Sequence, residues 1–247
     1  MIPSPILRVL SSIQHHGVRH LLMGGQACVL YGAAEFSRDV DITLLADGDN
    51  LERLRTALLD LEAEIVAVPP FDGAFLQKGH AVHFRCHHPE ANGVRLDVMA
   101  VMRGVDRFPL LWERRTTVEL QGLSVELLSL ADLVRAKKTQ RDQDWPMIRR
   151  LVEADYFTHR DRPTDPQIEF WLSELRTSAL LIELTAAHQR TAETLIPARP
   201  LLRAALDSNA ALVEQGLTQE QERERERDRR YWEPLRAELQ ALRRDRR

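Results

Sequence analysis

Residues 21–45, LLMGGQACVLYGAAEFSRDVDITLL, constrain the fold more than any other part of the chain. An apolar run leads into Gly24-Gly25, a small-residue helical segment follows, and a second apolar run carries Asp39 and Asp41 on alternate positions. Strand side chains alternate with period two, so the two carboxylates are expected on one face, with Val40 and Ile42 on the other. Like charges held that close repel. The usual stabilising partner is a hard divalent cation, and Mg2+ in particular is held by one or two carboxylates together with the phosphates of a substrate. Glycines let a backbone approach an anionic ligand, and the amides that open the next helix face its negative charge.

The remaining pattern predicts a mixed α/β (α+β) domain followed by a helical one. Ser4-Pro5 reads as a helix start, with Ile6, Val9, Leu10 and Ile13 as its apolar stripe and Gly17 as its end. Strands are expected at 18–23, 40–45 and 64–68, with helices at 26–34 and 51–61, the latter capped by Asn50. Pro69-Pro70 and Asp72-Gly73 predict a loop, and AVHFRCHH and VRLDVMAV predict a hairpin around PEANG, with Asp97 in its second arm. The stretch 103–120 reads as a connecting helix or loop before a short strand at 123–127. Ser129 to Asp132 resembles a capping box opening a helix to about 140, and Pro146 fits the first turn of the next. The polar, proline-rich RDRPTDP predicts a boundary, giving domains 1–158 and 165–247. A helix from Asp165-Pro166 is expected to bury Ile168, Trp171, Leu172, Leu175, Leu181 and Ile182. In the last stretch Glu222 pairs with Arg225 and Glu226 with Arg230 in register, and Pro234 is expected to split the helix in two.

Length and charge exclude little. The 247 residues are 44% hydrophobic and 29% charged with a net charge of −3, ordinary for a globular chain and without a global basic signature for nucleic acid. Two cysteines make no disulfide framework, the N-terminal stretch lacks a basic leader, and no run reaches the roughly 20 apolar residues of a membrane span. A cytoplasmic location is therefore expected.

On this pattern Asp39 and Asp41 would hold divalent ions, Mg2+ or Mn2+, on a nucleoside triphosphate. Asp97 would complete a second metal site and align or deprotonate an acceptor hydroxyl. The arrangement resembles the nucleotidyltransferase superfamily typified by DNA polymerase beta. Its signature is a Gly-Gly or Gly-Ser pair, an acidic-apolar-acidic triplet and a later acidic residue on a neighbouring strand. Thirteen residues separate Gly25 from Asp39 here. LSLADLVRAKKTQRDQDWPMI is similar to the helical segment of small bacterial members related to abortive-infection and toxin–antitoxin systems. The resemblance spans roughly residues 18 to 155. It implies NMP transfer from an NTP to a hydroxyl with release of pyrophosphate, Lys137 on the nucleotide phosphates, and Arg141 and Asp144 orienting the helix or lining the site. It also implies an RNA, protein or small-molecule acceptor and, for a toxin pair, a cognate antitoxin or partner protein.

Competing readings stand beside these. Asp97 has Arg95 and Arg85 as salt-bridge partners in sequence, Lys138 competes with Lys137, and Arg141 with Asp144 form a simple ion pair or cap. Ser37 and Arg38 contact phosphate or serve the loop alone. His80, His83, His87 and His88 surround Cys86, but alternation turns the thiol away from His83 and His87. That argues for a buried cysteine, with a histidine face bordering the cleft, over a zinc site. The alternative function keeps the fold without turnover, as a nucleotide-binding or protein-interaction module. A domain binding nucleic acid by electrostatics alone is disfavoured by the net acidity.

Overall fold

The structure, a computed structural model, describes residues 2–245. Two compact units divide the chain: one runs to Ala136 and resumes at Arg230, the other is Lys137–Arg229. The first contains, in order, α1 (Ser4–His15), β1 (His20–Met23), α2 (Gly24–Leu30), β2 (Val40–Leu44), α3 (Gly48–Asp60), β3 (Glu64–Ile65), α4 (Gly73–Lys78), β4 (Val82–Arg85), β5 (Arg95–Met99), α5 (Phe108–Glu113), β6 (Thr116–Leu120), β7 (Leu123–Leu127) and α6 (Leu130–Ala136). Seven strands form one sheet in the order β3-β4-β5-β2-β1-β7-β6. The β2–β5 and β1–β7 pairs are parallel and the others antiparallel, so the sheet is mixed as expected.

Register divides the sheet into two chemically distinct faces. Leu22 pairs with Ile42 and Leu127, Ile42 with Val98, Val40 with Leu96, and Val82 and Phe84 with Val98 and Leu96. All of these are buried, and this is the core face. On the other face Met23 pairs with Asp41, Asp41 with Asp97, and Asp97 with His83. The site residues therefore sit on the reverse of a largely apolar surface, on which His20, paired with Leu44, is the buried polar side chain of β1. Helices α1 and α3 pack on each other, with Arg8 donating to both carboxylate oxygens of Asp60 at 3.0 and 3.1 Å and the Ser12 hydroxyl donating at 2.6 Å.

Several local expectations change. Pro3, not Ser4, precedes the first helical residue, and Asp47, not Asn50, caps α3 by accepting from the Asn50 amide. The buried Asn50 side chain instead bonds the backbone of Arg19 and Leu45, tying the start of α3 to the strands beside it. The 64–68 strand shrinks to two residues, while the loop after Pro70 contains α4, capped by Asp72, and the 103–120 stretch contains both α5 and β6.

The second unit holds α7 (Asp144–His159), α8 (Asp165–Glu174), α9 (Ser178–Ala187), α10 (Gln189–Leu195), α11 (Leu202–Leu206) and most of α12 (Ala210–Asp245). The division falls at Lys137 rather than between 158 and 165. The reason is that α7 shares a core with α8: Trp171 donates to Asp155 at 2.7 Å and stands edge-on to Tyr156 at 5.1 Å. The helix expected through Ile182 breaks after α8, where buried Arg199 donates to the carbonyls of Leu172 and Leu175, both at 2.8 Å. A cation on the last carbonyls of a helix satisfies groups that would otherwise lack partners. Helix α12 runs unbroken through Pro234, against the expected split. A proline inside a helix costs about 3 kcal/mol. Within the first unit, buried Leu235 and the Glu238 carboxylate, which accepts from Lys78 at 2.6 Å and His80 at 2.8 Å, hold the segment beyond it. Among the described residues no helix is long and apolar enough to cross a membrane.

Asp132 in α6 is fully buried and depends on Arg114, whose Nε and Nη2 donate to its two oxygens at 2.6 and 2.8 Å; Ser129 Oγ donates to it at 2.7 Å. Burial pushes the Asp132 carboxyl up, but these hydrogen bonds outweigh it and hold the group below its ordinary 3.8. A depressed carboxylate stabilises the fold above its unfolded pKa and loses that contribution as pH falls through the folded value. Stability is expected to decline on acidification below about pH 4. Arg114→Ala is expected to cost about 3–5 kcal/mol in chemical denaturation at pH 7, by stranding a buried charge.

Candidate active site

The site starts where β1 runs into its diglycine turn. Gly24 has φ +66°, and a Cβ placed there would lie 1.9 Å from Asp41 Oδ2; on Gly25 it would lie 2.3 Å from Ser37 Oγ. Glycine is thus required by the chain's own acid and hydroxyl before any ligand is considered. The Gly25 amide faces Asp41 Oδ2 at 3.4 Å, and the buried side chain of Gln26 donates to the Ser37 carbonyl at 2.9 Å. These contacts tie the 31–39 loop back onto α2. Arg38 on this loop is exposed, and Asp39 lies half-buried just before β2, two residues from Asp41.

Asp41 and Asp97 face each other in register across the parallel β2–β5 pair. Neighbouring strands stand about 5 Å apart, so the two side chains leave the same face as direct neighbours. Asp97 is 14% exposed, and its Oδ1 accepts from Arg95 Nε at 2.7 Å and from His83 Nδ1 at 2.8 Å. Arg95 Nη2 also lies 3.1 Å from His83 Nδ1. That nitrogen cannot both donate to the carboxylate and accept from the guanidinium; the shorter contact and the carboxylate charge place its proton toward Asp97. Burial raises the Asp97 pKa, while the bonds from His83 and Arg95 prevail and hold it low, so Asp97 is ionised at neutral pH. Hydrogen bonding to Asp97 raises the Arg95 pKa, with further attraction from Asp39 and Asp41. One guanidinium therefore feels all three acids.

The donor set suits Mg2+ or Mn2+ in kind, being carboxylate oxygen throughout. Yet among the described residues no three ligating side chains stand close enough together to hold a metal ion as they are placed, and Asp97 is engaged by Arg95 and His83. Its second oxygen, Oδ2, is the one left outside these two bonds.

Lys137, Arg141 and Asp144 gather in the second unit. The buried Asp144 carboxylate, at the first residue of α7, accepts from Thr139 Oγ1 at 2.6 Å, Arg141 Nε at 2.7 Å and Lys137 Nζ at 3.4 Å. An anion at a helix N-terminus is stabilised by the helix dipole. This cluster also explains why α6 stops at Ala136 instead of continuing to 140: the intervening turn is wrapped around Asp144. Lys138 reaches Glu174 at 2.7 Å. The second unit has its own cleft of about 890 Å3 between α7, the α8–α9 connection and α12, whose Arg149 pairs with Glu153 and Arg176 with Glu220.

Of the four histidines in the hairpin region, His83 is the one that meets an acid of the site. Its signal was present in the sequence, since period-two spacing in an antiparallel pair sets it opposite Asp97. The Arg-x-Asp spacing of residues 95 and 97 likewise put Arg95 on the acidic face. Gln26 carried no signal. Cys86 is buried, which pushes its thiol up to about 11.

No protein-family model matches the chain, and no curated protein matches it. Among solved structures it is similar to an antigenic nucleotidyltransferase-like protein from Paracoccidioides brasiliensis, at 21% identity over 83% of this chain and 90% of that one, with a TM-score of 0.43. It is also similar to a candidate nucleotidyltransferase from H. pylori, at 14% identity over 87% and 94%, with a TM-score of 0.40.

The glycine geometry is testable. Gly17 shares the φ of +66° but has open space where a Cβ would go. Gly17→Ala is expected to cost the left-handed strain of about 1–2 kcal/mol alone. Gly24→Ala adds the clash with Asp41 and is expected to lower the Tm further, as differential scanning fluorimetry would measure.

Proposed function

We propose that the chain is a metal-dependent nucleotidyltransferase of the polymerase beta-like superfamily, moving an NMP group from an NTP to a hydroxyl with release of pyrophosphate. The observation that carries this reading is the in-register pairing of Asp41 with Asp97, beside a glycine turn packed directly on Asp41. Had residue 97 projected from the core face, no such centre would be available.

Asp39, Asp41 and Asp97 would hold the divalent ion, with Asp97 presenting the oxygen that Arg95 and His83 leave outside their bonds. When bound, Mg2+ or Mn2+ supplies charge neutralisation for the triphosphate and stabilises the oxygens of an in-line displacement. The chain's own contribution is positional. Gly24 and Gly25 keep the turn flush with the acids, and the Gln26–Ser37 bond fixes the loop that carries Arg38 beside them, where its guanidinium is placed to meet phosphate. In the transfer, a bond forms from the acceptor oxygen to the α-phosphorus while the bond to the pyrophosphate oxygen breaks. The hydroxyl proton leaves to solvent. Asp97, its Oδ1 held by Arg95 and His83, would align that hydroxyl or take its proton through the other oxygen.

The test is incubation of the full chain with each labelled NTP and Mg2+ or Mn2+ across RNA, protein and small-molecule acceptors, measuring pyrophosphate and acceptor mass. Asp41→Asn and Asp97→Asn are each expected to reduce transfer by roughly a hundredfold or more. Neither nucleotide binding nor pyrophosphate release from the unmodified protein would leave a protein-interaction module as the better reading.

A further inference from the structure

We propose that Phe36 is the platform on which the base of the donor nucleotide stacks, an inference that rests on the NTP reading above. Phe36 is 59% exposed. Phe157 is the other exposed aromatic among the large apolar side chains of the described residues, and it is packed: Tyr156 stands edge-on to it at 5.4 Å and Arg160 lies over it at 5.2 Å. Phe36 has no ring or cation partner among the described residues.

A single exposed apolar side chain is ordinary on a protein surface. What sets this one apart is that its neighbours are fixed while its ring is not covered. The next residue, Ser37, is held by the buried Gln26 side chain through its carbonyl and packs its hydroxyl against Gly25. Three residues earlier, Ala33 is buried. The backbone is therefore anchored on both sides of Phe36, at Ala33, whose amide donates to the Cys28 carbonyl at 2.9 Å, and at Ser37, and an aromatic ring on an anchored segment loses little freedom when a flat ligand settles on it.

The order of chemistry along the chain fits one ligand class. An uncovered aromatic ring, an exposed guanidinium at Arg38 with no ion pair among the described residues, and the carboxylates of Asp39 and Asp41 follow within six residues. A nucleoside triphosphate with its metal presents the matching series: a π face, anionic oxygens, and a cation. An apolar peptide would use the ring and leave the charges unmatched. Stacking on a phenyl ring reads area, not hydrogen-bond pattern. Purine triphosphates are accordingly expected to bind better than pyrimidine ones, with ATP and GTP similar.

The experiment is isothermal titration calorimetry of the full chain with ATP and with inorganic tripolyphosphate, both with Mg2+, for the wild type, Phe36→Ala and Phe36→Trp. Phe36→Ala is expected to lose roughly five- to hundredfold in ATP affinity, the range of one base on an aromatic ring, and to bind tripolyphosphate as the wild type does. Phe36→Trp should restore ATP affinity and show indole emission quenched by ATP but not by tripolyphosphate. Unchanged ATP affinity in Phe36→Ala, or equal loss of both ligands, overturns the inference. Wild-type binding of tripolyphosphate as tightly as ATP overturns it while leaving the phosphate site standing. Binding of neither ligand overturns the NTP reading itself.

Discussion

Two carboxylates that face each other across adjacent strands need positive charge between them. If they stood as far apart as the strands do, about 5 Å, their repulsion at an effective dielectric near 20 would be on the order of 3 kcal/mol. That is a large fraction of the stability of an ordinary domain. Arg95 offsets it from the chain itself: it bonds Asp97 and draws on the fields of Asp39 and Asp41, with His83 adding a second donor. A divalent ion would carry out the same neutralisation with greater charge density.

The two-faced sheet makes this arrangement robust. A slip of one residue in β5 would move Asp97 into the apolar face and bring Leu96 or Val98 out of it. The buried pairs that β5 makes on the core face resist that slip: Val40 and Phe84 with Leu96, Ile42 and Val82 with Val98. Packing on one side of the sheet therefore fixes the chemistry on the other, though the two sides share no side chains.

Legibility in the sequence followed the range of the forces involved. Strands β1, β2, β4 and β5 were readable because alternation and the bracketing glycines are local, and the shared face of Asp41 and Asp97 came with them. Strand β6 was not: TTVEL is half-exposed on one face and exposed on the other, and it gains its pairing from β7, a contact made at the sheet edge. The unbroken course of α12 was hidden for a related reason. Pro234 is a breaker by its own chemistry, and what holds the segment beyond it is Lys78 and His80, far earlier in the chain. At the site, local spacing gave the acids and Arg95. The bond from Gln26 to the Ser37 carbonyl, which pins the loop, depends on backbone geometry that no residue pattern announces.

The path of the chain has a consequence for dissecting the protein. Because the first unit is completed by residues from Arg230 onward, the second unit is an insertion within it. A fragment ending at Ala136 would lack Glu238 and leave the His80 ring, wholly enclosed, without its acceptor. A cut at the proline-rich segment near 163 would carry α7 away from Trp171. Terminal truncation is therefore a poor way to isolate either half; excising residues 137–229 and rejoining the ends with a linker is the dissection that respects how the polypeptide is threaded.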